Sequence, residues 1–172
     1  KSEVCAEAHL RKLADRYERR TCDGQVDEFD ARGWLLNRTL KDGKVFRAEY
    51  GNSPYPKAFV EPDGRRIELR WNNRGQIVSQ AFVRADGKKT GVGLNYDGRG
   101  DLLSIAYEGG RWDGFTYRFK YDAMHNLVEV SYGGDSDLRI TYDKDGMTTS
   151  VVELTGKRFR YEYSSDAKTG ED

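Results

Sequence analysis

Apolar and polar residues alternate along most of the chain, and the alternation repeats. Six segments place apolar residues two positions apart with mostly polar or charged residues between them. The apolar positions are Phe46/Ala48/Tyr50, Ile67/Leu69/Trp71, Val92/Leu94/Tyr96, Tyr117/Phe119/Tyr121, Leu138/Ile140/Tyr142 and Phe159/Tyr161/Tyr163. Successive side chains of a strand point to opposite faces, so this period of two predicts strands with one apolar face and one solvated face.

Each segment ends on an aromatic anchor residue that opens a polar turn. The anchors are Phe29, Tyr50, Trp71, Tyr96, Tyr121, Tyr142 and Tyr163, at steps of 21, 21, 25, 25, 21 and 21 residues. A second turn with Asp-Gly or Gly-Gly lies inside most units, as at Asp42-Gly43. Such dipeptides supply the positive φ of tight hairpin turns. Residues 25–163 are therefore predicted to form six to seven β-hairpin repeats of 21–25 residues in an antiparallel up-and-down meander.

The N-terminal segment has a different pattern, which predicts the one helix of the fold. Its apolar residues at steps of four, three and four are Ala6, Leu10, Leu13 and Tyr17. With Ser2 as the N-cap, this spacing predicts an α-helix over residues 2–20 that packs on the apolar face of the sheet.

The predicted sheet is too wide for one helix to cover. About twelve strands at a spacing of about 4.8 Å make a sheet far wider than a single helix, so we expect it to twist and curl strongly into an open-barrel-like form. The chain is thus predicted to be mainly β and to form one domain over residues 1–172, with a flexible tail at 164–172.

Composition indicates a folded protein of an oxidising compartment. Aromatic residues make up 12% of the 172 residues, and 29 basic residues balance 29 acidic ones, so neither disorder nor attraction to nucleic acid is favoured. No apolar run reaches the about 18 residues of a membrane-spanning helix. Cys5 and Cys22 are the only cysteines. They predict a disulfide, with two buried free thiols as the alternative, and a periplasmic or secreted chain whose signal peptide has been removed.

Catalytic and metal-binding chemistry has little support in the sequence. The two histidines, His9 and His125, supply neither a triad nor a histidine metal site. The run from Asp143 to Gly146 resembles the start of a calcium loop, but Leu154 stands where that loop needs Glu, and the repeat's turn explains the same residues. We predict no catalytic residue, cofactor or metal, and no enzyme activity.

Two features are candidates for binding a protein. The polar face is rich in basic residues, namely Arg47, Arg70, Arg118, Lys120, Arg139 and Arg160. These six predict a stripe that meets a partner, or alternatively cross-strand ion pairs with Glu49, Glu68 and Glu162. The segment 51–59 contains Pro54, Tyr55 and Pro56 in place of a regular return strand. It is either a contact loop or a sheet corner.

The turn motif resembles a known repeat family. Tyr96-Asp97-Gly98-Arg99-Gly100-Asp101-Leu102 and the segment from Tyr121 to Leu127 are similar to the tyrosine-aspartate (YD) repeats of bacterial Rhs proteins and teneurins. The resemblance covers about residues 29–163. It implies long β-sheets of the kind that in this family form shells around a toxin or act in surface contact, and a bacterial envelope or secretion setting.

These observations favour a non-catalytic, protein-binding protein of the bacterial envelope that acts by surface complementarity. We expect an immunity or inhibitor protein against a secreted effector or toxin. One alternative is a carbohydrate- or cell-wall-binding module that uses Trp34 or Trp112. The other is a structural envelope component that assembles through its sheet edges. The sequence leaves the partner and the oligomeric state open.

Overall fold

A computed structural model describes residues 8–132 and 135–163, without the side chains of 135 and 136. The described residues form fifteen β-strands and one turn of 3-10 helix at Gly110–Trp112. The strands are β1 (His9–Lys12), β2 (Arg16–Arg20), β3 (Val26–Asp30), β4 (Leu35–Thr39), β5 (Val45–Tyr50), β6 (Pro56–Val60), β7 (Arg66–Trp71), β8 (Ile77–Val83), β9 (Lys89–Tyr96), β10 (Leu102–Glu108), β11 (Thr116–Tyr121), β12 (Leu127–Tyr132), β13 (Asp135–Tyr142), β14 (Thr148–Glu153) and β15 (Arg158–Arg160). The predicted tail at 164–172 lies outside the described residues.

The strands follow one another in the sheet in chain order, from β1 to β15, and the pairs are antiparallel. Among the described strands the first is not bonded to the last, so the sheet is not closed. The predicted antiparallel meander is confirmed.

The predicted helix over residues 2–20 is wrong where the structure describes the chain, because β1 and β2 occupy that segment. His9 pairs with Arg20 and Lys12 with Tyr17, and the Leu13 N–H donates to the Arg16 carbonyl at 2.8 Å to close the hairpin. Residues 1–7 lie outside the described part. The physical reason is that β2 is bonded along its whole length to β3, so pairing with a neighbouring strand overrides the helical spacing of the apolar residues.

The register defines two faces of the sheet, because directly paired residues lie on the same face. In β5 to β8 one face carries a row of Ala48, Phe59, Ile67 and Phe82, and we call this the aromatic face. The other carries a row of Glu49, Ala58, Glu68 and Ala81, and we call it the charged face.

The buried hydrophobic residues lie on the charged face. Among the described residues they are Ala58, Val60 and Ala81, all small. Ion pairs of Arg66 with Glu49 at 3.0 Å and of Lys89 with Glu68 at 2.8 Å link the strands around them. Long charged side chains bury their aliphatic stems on such small residues. No aromatic residue of the described ranges is buried, so the aromatic face lacks a cover there.

Most of the described hairpins share one five-residue turn. At 40–44 the Leu40 N–H donates to the Lys44 carbonyl at 2.8 Å, and the Gly43 N–H donates to the Leu40 carbonyl at 2.9 Å. The fourth residue of this turn has positive φ, which is 80° at Gly43. In the turn at 122–126 His125 takes this position with φ of 66°. A glycine adopts this conformation without the steric cost of a Cβ, which explains the repeated Asp-Gly pairs.

The Asp of the Tyr-Asp motif closes the turn that follows each anchor. Asp30 Oδ1 accepts the N–H groups of Arg32 and Trp34, both at 2.9 Å. Asn72 Oδ1 makes the same two bonds, to Arg74 and Gln76. The other residues that repeat this bonding are Asp97, Asp122 and Asp143. An Asx acceptor at this position satisfies backbone donors that strand pairing leaves open.

Five of the seven anchor aromatics follow a β-bulge. The ladders shift register by one residue directly before Phe29, Tyr50, Trp71, Tyr121 and Tyr142. A bulge increases the local right-handed twist of its strand, and its recurrence at the same position makes it a built-in part of the repeat.

The polar tip of an anchor reaches back to the preceding unit. Trp71 Nε1 donates to the Pro56 carbonyl at 2.7 Å, and the Tyr142 hydroxyl donates to the Leu127 carbonyl at 2.8 Å. The Tyr50 hydroxyl is hydrogen-bonded to the backbone of Leu35. In all three cases the partner lies six residues after the preceding anchor. This bond explains why Tyr or Trp stands at these positions, since Phe has no polar tip.

The chain divides into two compact units. Unit one contains Lys1–Gly93 and Glu108–Asp113, and unit two contains Leu94–Tyr107 and Gly114–Asp172. The prediction of a single domain over 1–172 stays a prediction. Among the described residues no helix is long and apolar enough to cross a membrane.

Gly43→Ala is expected to destabilise the protein by about 1 kcal/mol, because the space around Gly43 is open and only its positive φ opposes a Cβ. Urea unfolding measures the cost. Gly51→Ala is the matched control, since that turn glycine also has open space but no positive φ. An equal loss at both positions would contradict the proposed turn requirement.

Stability is expected to fall in acid through the anchor turns. Hydrogen bonds from backbone N–H groups lower the pKa of the Asp97 and Asp122 carboxyls. The largest contribution comes from the N–H of Asp101 for Asp97 and from the N–H of Asn126 for Asp122. The unfolded carboxyls titrate at about 3.9, so between that pH and the lower folded pKa the unfolded chain binds more protons. Their stabilisation is therefore complete above about pH 4 and is lost as the pH falls through the folded pKa.

Asp97→Asn tests this assignment, because Asn72 already serves in the same turn position. We expect the variant to lose less stability than the wild type between about pH 4 and pH 2.5, measured as urea midpoints. Parallel pH profiles would show that the Asp97 carboxylate does not contribute.

Candidate functional site: the Asp27 cluster and the adjoining hollow

A buried carboxylate on the aromatic face is held between two arginines. Asp27 on β3 lies directly opposite Arg19 on β2 and Arg38 on β4. Arg19 donates to Asp27 Oδ2 through Nε at 3.0 Å and through Nη2. Arg38 donates through Nε to Oδ1 at 2.7 Å and through Nη2 to Oδ2 at 3.2 Å. The Asp27 side chain has 0% exposure and each arginine side chain has 41%. In this Asp27 cluster the carboxylate is therefore excluded from solvent, while the two arginines remain partly exposed.

The electrostatics of the cluster favour the charged forms of Asp27 and Arg38. Burial acts to raise the pKa of Asp27, but the hydrogen bonds and charges of Arg38 and Arg19 outweigh it and lower that pKa. The hydrogen bond to Asp27 raises the pKa of Arg38. A carboxylate so fully bonded is a poor base or nucleophile. The cluster as a whole carries one net positive charge.

The cluster occupies positions that are apolar in later units. Asp27 lies two residues after its five-residue turn, where Phe46 and Ile67 lie after theirs. Arg19 and Arg38 lie two residues before their turns, where Phe59 and Phe82 stand in the next units. The sequence analysis missed the cluster because it placed Arg19 in a helix. The match of Cys22-Asp23-Gly24-Gln25 to Lys41-Asp42-Gly43-Lys44 was the signal that could have revealed the additional hairpin.

A hollow of about 370 Å³ adjoins the cluster on the aromatic face of unit one. It is lined by Gln25, Leu35, Arg38, Leu40, Phe46, Arg47, Ala48 and Phe59. Arg47 is among these residues because it lies between Phe46 and Ala48 in β5. Its side chain belongs to the charged face, since Arg47 pairs with Asn37 and Val60. The other polar residues of the lining are Gln25 and Arg38, and the remaining five are apolar.

The proline segment differs from the prediction. Pro56 begins strand β6 instead of interrupting a return strand, and first positions of strands tolerate proline because the missing N–H costs least there. Pro54 is exposed in the turn. Tyr55 stacks on Trp71 with ring centroids 4.9 Å apart, as Trp34 stacks on Tyr50 at 5.1 Å.

Tyr55 also lies over the next anchor turn. A Cβ built on Gly75 would come within 2.3 Å of the Tyr55 hydroxyl, so that glycine is required for close approach as well as for positive φ. Tyr55 is therefore a packing residue between neighbouring units, and its role in binding a partner stays a prediction.

The six predicted basic residues are all exposed, but they do not form one stripe. In unit one, Arg47 and Arg70 are separated by the ion-paired row of Glu49 and Glu68. In unit two, Lys120 pairs with Glu129 at 2.8 Å. The remaining three predicted residues lie in unit two, with Arg118 opposite Ser104 and Ser131, Arg139 opposite Glu129 and Val152, and Arg160 opposite Ser150.

Among the described residues, ion-paired cations thus occur on the charged face of unit one and, at Lys120, in unit two. Within the described residues, the ion pairs of Glu49 and Glu68 are with Arg66 and Lys89, and the predicted arginines form none. A binding role for the six basic residues stays a prediction.

The histidines and cysteines do not meet at a site in the described part of the chain. His9 lies exposed on β1, and His125 Nδ1 is hydrogen-bonded to Asp101 Oδ1 at 2.7 Å. No cluster of three potential ligands for a metal ion occurs among the described residues. Cys22 lies in the turn between β2 and β3, whereas Cys5 lies outside the described residues, so their disulfide stays a prediction.

Comparison with known proteins relates the chain to other proteins through its fold. No protein-family model matches it, and a search of curated proteins gives no significant match. The crystal structure of TcdB2-TccC3-Cdc42 matches 83% of this chain at 14% identity with a TM-score of 0.63, and that of TcdB2-TccC3 without the hypervariable C-terminal region matches 78% at 16% identity with a TM-score of 0.61.

These neighbours are Rhs/YD-repeat toxin-complex chains, so the resemblance read from the Tyr-Asp turns is confirmed at the level of architecture. This chain spans about 9% and 8% of the lengths of those two chains. Identities this low show a shared fold alone, which is an antiparallel β-sheet of consecutive hairpins.

Asp27→Asn is expected to destabilise the protein by about 2 kcal/mol, because it leaves two guanidinium groups facing a neutral amide in a dry site. Thermal and urea unfolding measure the effect. Glu28→Gln is the matched control, since Glu28 lies next in the chain on the opposite face, and Gln keeps an amide oxygen that can accept the 3.0 Å hydrogen bond from Asn37 Nδ2 while it weakens the 3.8 Å pair with Arg16. Equal effects of both substitutions would contradict the special role of the buried carboxylate.

Proposed function

We propose that this chain is a non-catalytic protein-binding protein of the bacterial envelope that acts by surface complementarity. The observation that carries the proposal is the uncovered aromatic face. All of the described aromatic residues keep part of their surface accessible, and the buried hydrophobic residues are three small ones on the opposite face. A sheet face whose aromatic side chains all remain partly exposed is typical of a surface that a partner covers.

Exposed arginines of unit two support the same proposal. Arg118 and Arg139 are exposed on neighbouring parts of unit two and form no ion pair with described residues. Arginine is enriched at protein interfaces because its planar guanidinium binds carboxylates through two parallel hydrogen bonds. An acidic partner surface would match these cations.

The finer proposal is an immunity or inhibitor protein against a secreted effector, acting in the periplasm or outside the cell. Its support is the architecture shared with YD-repeat toxin-complex chains, one of which was crystallised with Cdc42. The Cys5–Cys22 disulfide, if formed, would suit an oxidising compartment.

Carbohydrate binding is less well supported by the tryptophans. The Arg32 guanidinium lies 3.5 Å from the centroid of the Trp34 ring, which also stacks on Tyr50. The Arg111 guanidinium lies 4.9 Å from the Trp112 centroid. A sugar platform needs an open ring face, whereas these rings already contact cations.

Assembly through sheet edges is also less well supported. Among the described strands, β1 and β15 are first and last, and both are basic: β1 carries Arg11 and Lys12, and β15 carries Arg158 and Arg160. Like charges on edge strands oppose pairing between copies.

Capture of the partner tests the proposed function. The purified 172-residue chain serves as bait for secreted and periplasmic fractions of the source organism, and the captured protein is then produced and titrated by calorimetry. We expect a stoichiometric complex that inhibits the effector's activity. Arg118→Glu and Arg139→Glu should each weaken the complex by about tenfold, because they repel an acidic partner surface.

Lys144→Glu provides the control for charge reversal, since Lys144 lies in a turn with its side chain 89% exposed. A bait that captures no protein would overturn the proposed function. A complex that tolerates both arginine reversals as well as it tolerates the lysine reversal would show that the arginines lie outside the interface.

A further inference from the structure

The hollow on the aromatic face combines an apolar wall with one cation. Leu35, Leu40, Phe46, Ala48 and Phe59 form the wall. Phe59 is 37% exposed, so the hollow is open to the surface. Its volume of about 370 Å³ is near the lower end of ligand pockets, which are about 300–1,000 Å³. The space suits one large side chain and its immediate neighbours.

The cation has hydrogen-bonding capacity left for a ligand. A guanidinium has five N–H donors, and Arg38 uses Nε and Nη2 for Asp27. The Arg38 side chain is 41% exposed, and Arg38 is one of the residues that line the hollow. Asp27 is the only acid of the cluster, and its single negative charge is shared by the two guanidinium groups of Arg19 and Arg38. A ligand carboxylate would therefore meet net positive charge there.

We propose that this hollow receives an apolar side chain of the partner polypeptide that lies next to an Asp or Glu. The apolar side chain enters between Phe46 and Phe59, and the neighbouring carboxylate pairs with Arg38. The inference rests on the proposed protein-binding function and specifies the chemistry of the bound segment. Arg38 thereby links two tasks, because it neutralises Asp27 and is held by Asp27 in the orientation that a ligand carboxylate needs.

The surroundings of the hollow favour a polypeptide over a free organic acid. The row that contains Phe59 continues along the aromatic face with Ile67 and Phe82, both only partly buried. A chain lying across these strands would cover that row as well, whereas a free acid would cover the hollow alone. Burial of apolar area contributes about 25 cal/mol per Å², so the longer ligand gains more from the same face.

A peptide titration monitored by NMR tests the inference. The ¹⁵N-labelled 172-residue chain is titrated with acetyl-Gly-Phe-Asp-Gly-amide to about 10 mM, because one side chain and one ion pair give millimolar affinity at best. We expect saturable shifts at the amides of Leu40, Phe46, Ala48 and Phe59. The matched peptide with Asn in place of Asp should bind about fivefold more weakly, and the peptide with Ala in place of Phe should not saturate.

Two protein variants locate the site without disturbing Asp27. Phe59→Asp puts a carboxylate at the mouth of the hollow and should abolish saturable binding. Val45→Asp is its control: Val45 is equally exposed at 37% and lies on the adjacent strand, but its pairing with Thr39 puts it on the charged face. The control should bind as the wild type does, and a dispersed spectrum shows that each variant is folded.

The outcomes separate this inference from the proposed function. Absence of saturable shifts, equal binding of the Asp and Asn peptides, shifts confined to other residues, or unaltered binding by Phe59→Asp would each overturn the inference. None of these results bears on whether the bait captures a partner. Conversely, an empty bait together with selective peptide binding would overturn the proposed envelope function and support the hollow as a peptide site.

Discussion

The five-residue turn is the constraint on which the rest of the structure depends. Its fourth residue must adopt positive φ, and its first residue in the anchor turns must offer an Asx acceptor to the third and fifth N–H groups. When both conditions are met, strand length and register follow, because each turn fixes which residues face each other across the next ladder. The aromatic anchors, the bulges before them and the bonds from their tips all occur at fixed distances from these turns.

The two faces solve the problem of burial in different ways. In β5 to β8 the charged face covers small side chains with ion-paired Arg, Lys and Glu, so these side chains are buried within the chain itself. The aromatic face stacks neighbouring rings but leaves them partly accessible. In the first units it also exchanges apolar residues for the Asp27 cluster, which places a fixed charge beside an apolar hollow. This pairing of chemistry is what a specific protein contact needs, because apolar area gives affinity and the charge selects the partner.

The sequence predicts the sheet well where turn chemistry and alternation agree, as at Asp42-Gly43 between two alternating strands. It fails at residues 9–20, because Leu10, Leu13 and Tyr17 fit a helical period while the pairing of β2 with β3 is a non-local interaction. The expectation for Pro56 differs from the structure for a similar reason. A strand tolerates proline at its first position, and the sequence alone does not show that Pro56 is the first residue of a strand. The Asp27 cluster was hidden because its three members are distant in sequence and meet only through the register of β2, β3 and β4.

The backward bonds of the anchors give the chain a direction of assembly. Trp71 donates a hydrogen bond to the Pro56 carbonyl, and Tyr142 donates one to the Leu127 carbonyl. A unit therefore acquires its full set of hydrogen bonds only after the next unit has been made. During synthesis from the N-terminus, each emerging anchor would lock the hairpin made just before it. Each hairpin of the growing sheet would thus gain its anchor hydrogen bond one unit after its own synthesis. In a prematurely terminated chain, only the last hairpin would lack that bond.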